Sequence, residues 1–385
     1  FHADRALLLA GGEIKQQGNP AAARELFLWA TTNGANSVLL SELELAIART
    51  YEQESKWPEV VRQYQAWLER FPDDPARARA QYACAWASYQ ARNETNALVG
   101  FTRFVAQFPT NELTPLAEWW VADYYFRNGE PLEAEKRYQR LFRGTNWGPS
   151  RLTYQAQLMA GRAAMARLGW QDVSPYFINL YKDTNCPTDL RIQALFCFGD
   201  YCISRDSTNK LADYDDAISA FNGVRNWDPT NSLAVLALGK IASCYLQKAQ
   251  LSQDYALALT NFQQVLSHPQ ADATARSIAK VGMGIVVKKQ AELAKPPEQD
   301  QLRRQALDHF LDVLYRKNLQ PGEQPDLFWV KKAGLEAADV AEVLHEWDGA
   351  LGVYQQLMEL LPQLRPRLEK NILKIQRERL TLGQR

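Results

Sequence analysis

Residues 57–109 read WPEVVRQYQAWLERFPDDPARARAQYACAWASYQARNETNALVGFTRFVAQFP, and one pattern is written in them twice. Val60, Tyr64, Trp67, Phe71 and Pro72 follow at steps of four, three, four and one; Ala97, Phe101, Phe104, Phe108 and Pro109 repeat those steps 37 residues later. An apolar stripe at i, i+4, i+7 and i+11 is one face of a helix, and a proline directly after it stops the helix by removing an amide donor. Each copy is therefore a helical unit with a built-in end. A fixed period of about 20 to 50 residues marks a stacked repeat array.

With the Tyr64-type aromatic as anchor, the pattern runs through the chain. Equivalent anchors are Phe27, Tyr64, Phe101, Tyr138, Phe177, Phe221, Phe262, Phe310 and Tyr354, which makes nine repeats. Four residues before them stand Ala23, Val60, Ala97, Ala134, Val173, Ala217, Ala258, Ala306 and Ala350, all small or β-branched, as close approach of two helices requires. Trp57, Trp170, Tyr214, Tyr255 and Trp347, seven before, mark the turn into the helix, and Gly11, Ala48, Ala85, Ala122 and Gly161, sixteen before, lie in an earlier helix. Each repeat thus reads as two antiparallel helices touching at small residues.

The expected fold is all-α: a right-handed α-solenoid of about nine helical hairpins plus a C-terminal capping helix, in one continuous superhelix. Regular repeats cover 1–187, and 188–362 hold repeats of longer period. The extra residues are expected in longer turns, at Ser204 to Asp213 and Ala294 to Asp300, and in a link at Asn318 to Asp326. Over 363–385, Leu368, Ile372 and Ile375 share one side of a last helix suited to covering the end of the stack.

At 385 residues the chain exceeds the size at which one compact core keeps growing. Lys+Arg and Asp+Glu both number 44, so no net field recruits nucleic acid or an anionic membrane. No apolar run approaches the roughly 20 residues that span a bilayer. The chain opens at Phe1 without an initiator methionine, which leaves room for an upstream segment whose nature the sequence does not carry. Cys84, Cys197, Cys202 and Cys244 sit in apolar helical stretches and Cys186 precedes a proline in a turn; no C-x-x-C occurs, though a single Cys197–Cys202 bond stays open.

Signs of catalysis are sparse. The four histidines, His2, His268, His309 and His345, fall in separate repeats, and no nucleophile elbow, phosphate loop or H-E-x-x-H is present. Glu342-x-x-His345 has the spacing of carboxylate-bridged metal sites but lacks the second pair they need. Asp73-Asp74 and Asp215-Asp216 are explained by helix starts. No cofactor and no metal is expected.

The pattern resembles the tetratricopeptide repeat, whose signature pairs a small residue in the first helix with A-x-x-x-F and a later proline in the second. Ala97-x-x-x-Phe101 with Pro109 and Ala134-x-x-x-Tyr138 match it, as do Ala48 with Tyr51 and Ala122 with Tyr125. The early tryptophan is missing, and bulky Trp67, Phe104 and Leu141 stand where the signature has alanine. Those residues, mainly over 57–143, resemble repeats of bacterial envelope proteins, including outer-membrane barrel-assembly lipoproteins. The resemblance implies that first helices line a concave groove, with groove positions 19, 15, 12 and 11 residues before the anchor. It selects Tyr82, Trp86, Tyr89 and Gln90, then Trp119, Asp123, Phe126 and Arg127, then Leu158, Arg162 and Met165. Aromatic rings edged by Arg and Asp suit a binding hot spot, and aromatic stripes also serve as packing between helices. The basic residues that clamp a terminal carboxylate in chaperone-binding relatives are not matched. The implied function is a non-catalytic scaffold for protein or peptide partners in a bacterial envelope assembly, periplasmic or outer-membrane-associated, with a cytoplasmic site as the alternative. A permanent structural subunit of a larger complex is the second reading, and an enzyme the weakest.

Overall fold

The computed structural model describes residues 2–34, 37–144, 147–252 and 255–382. Among them the regular elements are nineteen α-helices and one short 3-10 turn, with no strand. They follow one another as nine pairs: α1 (His2–Gln16) and α2 (Pro20–Asn33), α3 (Leu40–Gln53) and α4 (Trp57–Arg70), α5 (Arg77–Gln90) and α6 (Glu94–Gln107), α7 (Thr114–Arg127) and α8 (Pro131–Arg143), α9 (Arg151–Ala166) and α10 (Trp170–Lys182), α11 (Thr188–Ser204) and α12 (Lys210–Trp227), α13 (Ser232–Ser252) and α14 (Ala256–Ser267), α15 (Ala273–Leu293) and α16 (Glu298–Leu314), α17 (Leu327–Val343) and α18 (Trp347–Leu360). A last helix, α19 (Arg365–Leu382), closes the series. This is an all-α repeat solenoid. The chain divides into two compact units, residues 1–176 and 177–385.

The stripe that sets the period is also the core. All nine anchors are at most 5% exposed, and the small residue four before each is fully buried. Phe101 lies between the ring of Tyr82 on α5, at 5.3 Å, and that of Trp120 on α7, at 4.8 Å. One anchor therefore seals both its own hairpin and the next. Gly11 shows why the facing position is small: a Cβ there would come within 2.2 Å of the Phe27 ring. The bulky residues that replace the signature alanine are core as well, since Trp67, Phe104 and Leu141 are at most 1% exposed. Burial of such side chains, at about 2–3 kcal/mol each before entropy, is what holds a helix only four turns long.

The turn inside a hairpin has a second, less visible register. Nine residues before the anchor, Gly18, Ser55, Arg92, Gly129, Leu168 and His345 all have positive φ. The amide of the next residue then donates back across the turn, as Lys56 does to Tyr51 O (3.0 Å), Asn93 to Ser88 O (3.0 Å) and Glu346 to Ala341 O (2.9 Å). These are Schellman closures, which satisfy carbonyls left open at the helix end.

The longer turns expected in the later repeats need correction. Lys210 to Asp213 and Glu298 to Asp300 are the first turns of α12 and α16, and the added length sits largely in the helices: α13 and α15 have 21 residues, where α3 to α7 have 14 each. At the start of α12 Asn209 caps the helix, accepting from Ala212 N at 3.2 Å, whereas α16 begins directly after Pro297. The link before α17 is long, and Asp326 ends it by accepting from Phe328 N at 3.0 Å. In the described part of the expected 363–385 helix, Leu368 and Ile375 are buried in the core that α18 shares; residues 383–385 lie outside the described residues.

Candidate partner-binding site

In the unit 1–176, the first helices carry the side chains singled out from the sequence, and the structure sorts them by depth. Tyr82 is half-buried, its ring edge-on to Phe101 and, at 5.6 Å, to Phe104. Trp86, one turn further on α5, is 40% exposed and leans on Tyr89 with ring centroids 5.5 Å apart. Tyr89 in turn meets Trp120 at 5.4 Å, and Trp120 stacks on Tyr124 at 5.7 Å. A ladder of rings thus crosses from α5 to α7. Trp120 and Tyr124 were not selected, because the offset rule picks Trp119 from the Trp119–Trp120 pair; Trp120, 9% exposed, is the rung behind the face.

Trp119 itself is half-buried and edge-on to the anchor Tyr138 at 5.3 Å. Phe126 is also half-buried. Asp123 and Arg127 engage each other, Arg127 Nε donating to Asp123 Oδ2 at 2.8 Å, and Arg127 also reaches Glu94 at 3.3 Å. Arg162 lies 3.7 Å from the sulfur of Met159. The eight predicted residues therefore do not form one exposed patch. Trp86 is the most exposed of their rings, and Tyr89 supports it.

Beside Trp86 opens a cavity of about 360 Å³ lined by Leu45, Arg49 and Glu52 of α3, Tyr64 of α4, and Arg79, Tyr82 and Trp86 of α5. Leu45, Arg49 and Glu52 stand 19, 15 and 12 residues before Tyr64, so the offsets that chose Tyr82 and Trp86 also point to them once applied one repeat earlier. The Tyr64 hydroxyl donates to Glu52 Oε1 at 2.9 Å; burial, with the Glu52 charge beside it, holds that hydroxyl far above the ordinary phenol value. Arg49 and Arg79 are exposed and, among the described residues, neither is in an ion pair, though Arg49 reaches the Tyr64 hydroxyl and opposes the rise there. A second cavity, of about 510 Å³, lies over α4, α5 and α6 and is edged by Gln65, Leu68, Val99 and Arg103.

Ionised groups behind the face are clamps. Glu118 is 1% exposed and holds Arg137 and Arg140 at 3.3 Å each; burial pushes its carboxyl up, and the two guanidiniums oppose the shift. Glu342 accepts from the Tyr354 hydroxyl at 2.8 Å and lies 3.6 Å from Lys374, while His345 closes a turn with its ring against Trp347. Among the described residues no group of three metal-ligating side chains converges. Among the described residues no disulfide joins two cysteines, Cys197 and Cys202 included, and burial pushes the thiols of Cys202 and Cys244 up to about 12. No helix among the described residues is long and apolar enough to cross a membrane.

The chain matches no protein-family model and no curated protein. Among solved structures it is similar to the apo form of RapI, at 12% identity over 94% of this chain and 99% of that one, TM-score 0.49. It is also similar to a tetratricopeptide repeat protein from Parabacteroides merdae, at 12% identity over 74% of this chain and all of that one, TM-score 0.41. At such identities the likeness concerns the fold alone, and no residue role passes from either protein to this one.

Proposed function

We propose that this chain is a non-catalytic protein-interaction scaffold that holds a segment of a partner protein against the first helices of the unit 1–176. The carrying observation is Trp86. Nine anchor aromatics of the same chain are buried to 5% exposure or less, whereas this indole stays 40% exposed beside a cavity and is braced from behind by Tyr89 and Trp120. A rigid, partly exposed ring next to a concavity is the form that interface hot spots take. The narrower reading, a bacterial envelope assembly factor working in the periplasm or at the outer membrane, is supported by the bulky Trp67, Phe104 and Leu141 and the Phe71-Pro72 and Phe108-Pro109 endings.

A permanent-subunit reading draws on a different place. At the start of α17, Leu327 and Phe328 are 48% and 64% exposed, apolar area that a standing neighbour would cover. Partner capture separates the two. Trp86→Ala should weaken capture of the native partner by about 2 kcal/mol with helical content unchanged, while Trp57→Ala, which removes a ring packed on the second repeat's core, should lower the melting temperature and spare binding by the folded fraction. If Trp86→Ala binds as the parent does and Phe328→Ser does not, the subunit reading replaces the scaffold.

A further inference from the structure

We infer that the cavity beside Trp86 accepts an acidic side chain from within the partner segment, flanked by an apolar residue that rests on the indole; this rests on the scaffold reading above. Charge balance at the cavity supplies the argument. Arg49 and Arg79 border one cavity from two successive first helices, and among the described residues neither has an acidic partner. Glu52, the one carboxylate lining that cavity, already accepts from the Tyr64 hydroxyl. Arg49, which also reaches the Tyr64 hydroxyl, and Arg79 outnumber the one carboxylate, so the cavity carries a positive excess in a chain whose net charge is zero.

Guanidinium is a planar fork of donors that fits a carboxylate by two parallel hydrogen bonds, and it stays charged at any ordinary pH. Arg49 and Arg79 therefore call for an anion, while Trp86 and Tyr82 supply an apolar wall beside it. Trp86 lines the cavity and is 40% exposed, so a bound chain that rests on the indole runs on beyond the arginines. That continuity selects a carboxylate carried as a side chain along a segment rather than one at a chain end.

The test uses the full chain and fluorescein-labelled decapeptides, blocked at both ends, that alternate leucine, glutamate and glycine, with versions in which glutamine or lysine replaces glutamate. Fluorescence anisotropy should show the glutamate peptide binding about tenfold more tightly than the glutamine one, with the lysine one weaker still. The paired Arg49→Ala and Arg79→Ala variant, its helical content checked by circular dichroism, should erase the glutamate advantage and leave glutamine-peptide binding unchanged. Trp86→Ala should weaken both peptides. Equal binding of the glutamate and glutamine peptides, still dependent on Trp86, overturns the acidic preference and leaves the scaffold standing. Binding of either peptide that ignores Trp86 overturns both, and absence of binding by all three overturns the acidic preference.

Discussion

Two tyrosines occupy the same place in the repeat and differ at one atom. Tyr64 and Tyr138 are both anchors buried to 3% or less, but the Tyr64 hydroxyl reaches Glu52 while the Tyr138 hydroxyl is buried with no hydrogen-bond partner among the described residues. Removing a made hydrogen bond costs about 1 kcal/mol, whereas removing a hydroxyl that is desolvated and unpaired is close to neutral or stabilising. Tyr64→Phe should therefore lower the denaturation midpoint and Tyr138→Phe should hold or raise it. Equal losses in urea unfolding would show that the Tyr138 hydroxyl is bonded after all. The stripe makes both rings legible as core, but a hydroxyl's partner comes from another element and lies outside any stripe.

Between residues and repeats lie the turns and links. Leu168 holds φ of 60° in the Schellman closure after α9 and is 66% exposed, so its side chain contributes little packing while its backbone is in the left-handed region. A left-handed non-glycine residue costs about 1 kcal/mol, and Leu168→Gly should recover that amount as a higher melting temperature. A fall in melting temperature would mean that the leucine side chain packs more than its exposure implies. The link before α17 makes a pH-dependent prediction. Arg276 on α15 holds the Glu323 carboxyl below its ordinary 4.5, helped by the Gln320 amide. A carboxyl lowered on folding contributes stability that is present above 4.5 and is lost as pH falls through the depressed value. Glu323→Gln should flatten that acid-side loss; a melting temperature that falls just as steeply below pH 4.5 would assign the loss to other carboxylates.

For the molecule as a whole, a stack of repeats stores its stability in neighbours. Phe101→Ala removes a fully buried ring touched by Tyr82 and Trp120 and should cost about 3–5 kcal/mol. In a repeat array the damage stays near its source. Hydrogen exchange should accelerate over α5 to α7 and keep parent rates over 177–385, and uniform acceleration along the chain would mean that the array unfolds as one cooperative block.

Repeat number, hairpin grammar and the identity of the core were determined by sequence alone, because each rests on spacing within one or two helices. A ring at every anchor with a small residue four before it specifies a close helix pair wherever the hairpin stands, and Phe27 through Tyr354 obey it without exception. Tertiary structure decided the rest. Trp86 shows its ring while Trp119 turns its edge to Tyr138, a difference set by contacts with other helices that the spacing rule does not carry. The extra residues of the later repeats went into longer helices, with Asn209 capping the start of α12, an outcome that polarity alone does not separate from a loop. Arg49 and Arg79 emerged as a pair only when α3 and α5 were set side by side, since 30 residues of chain separate two charges that share one cavity.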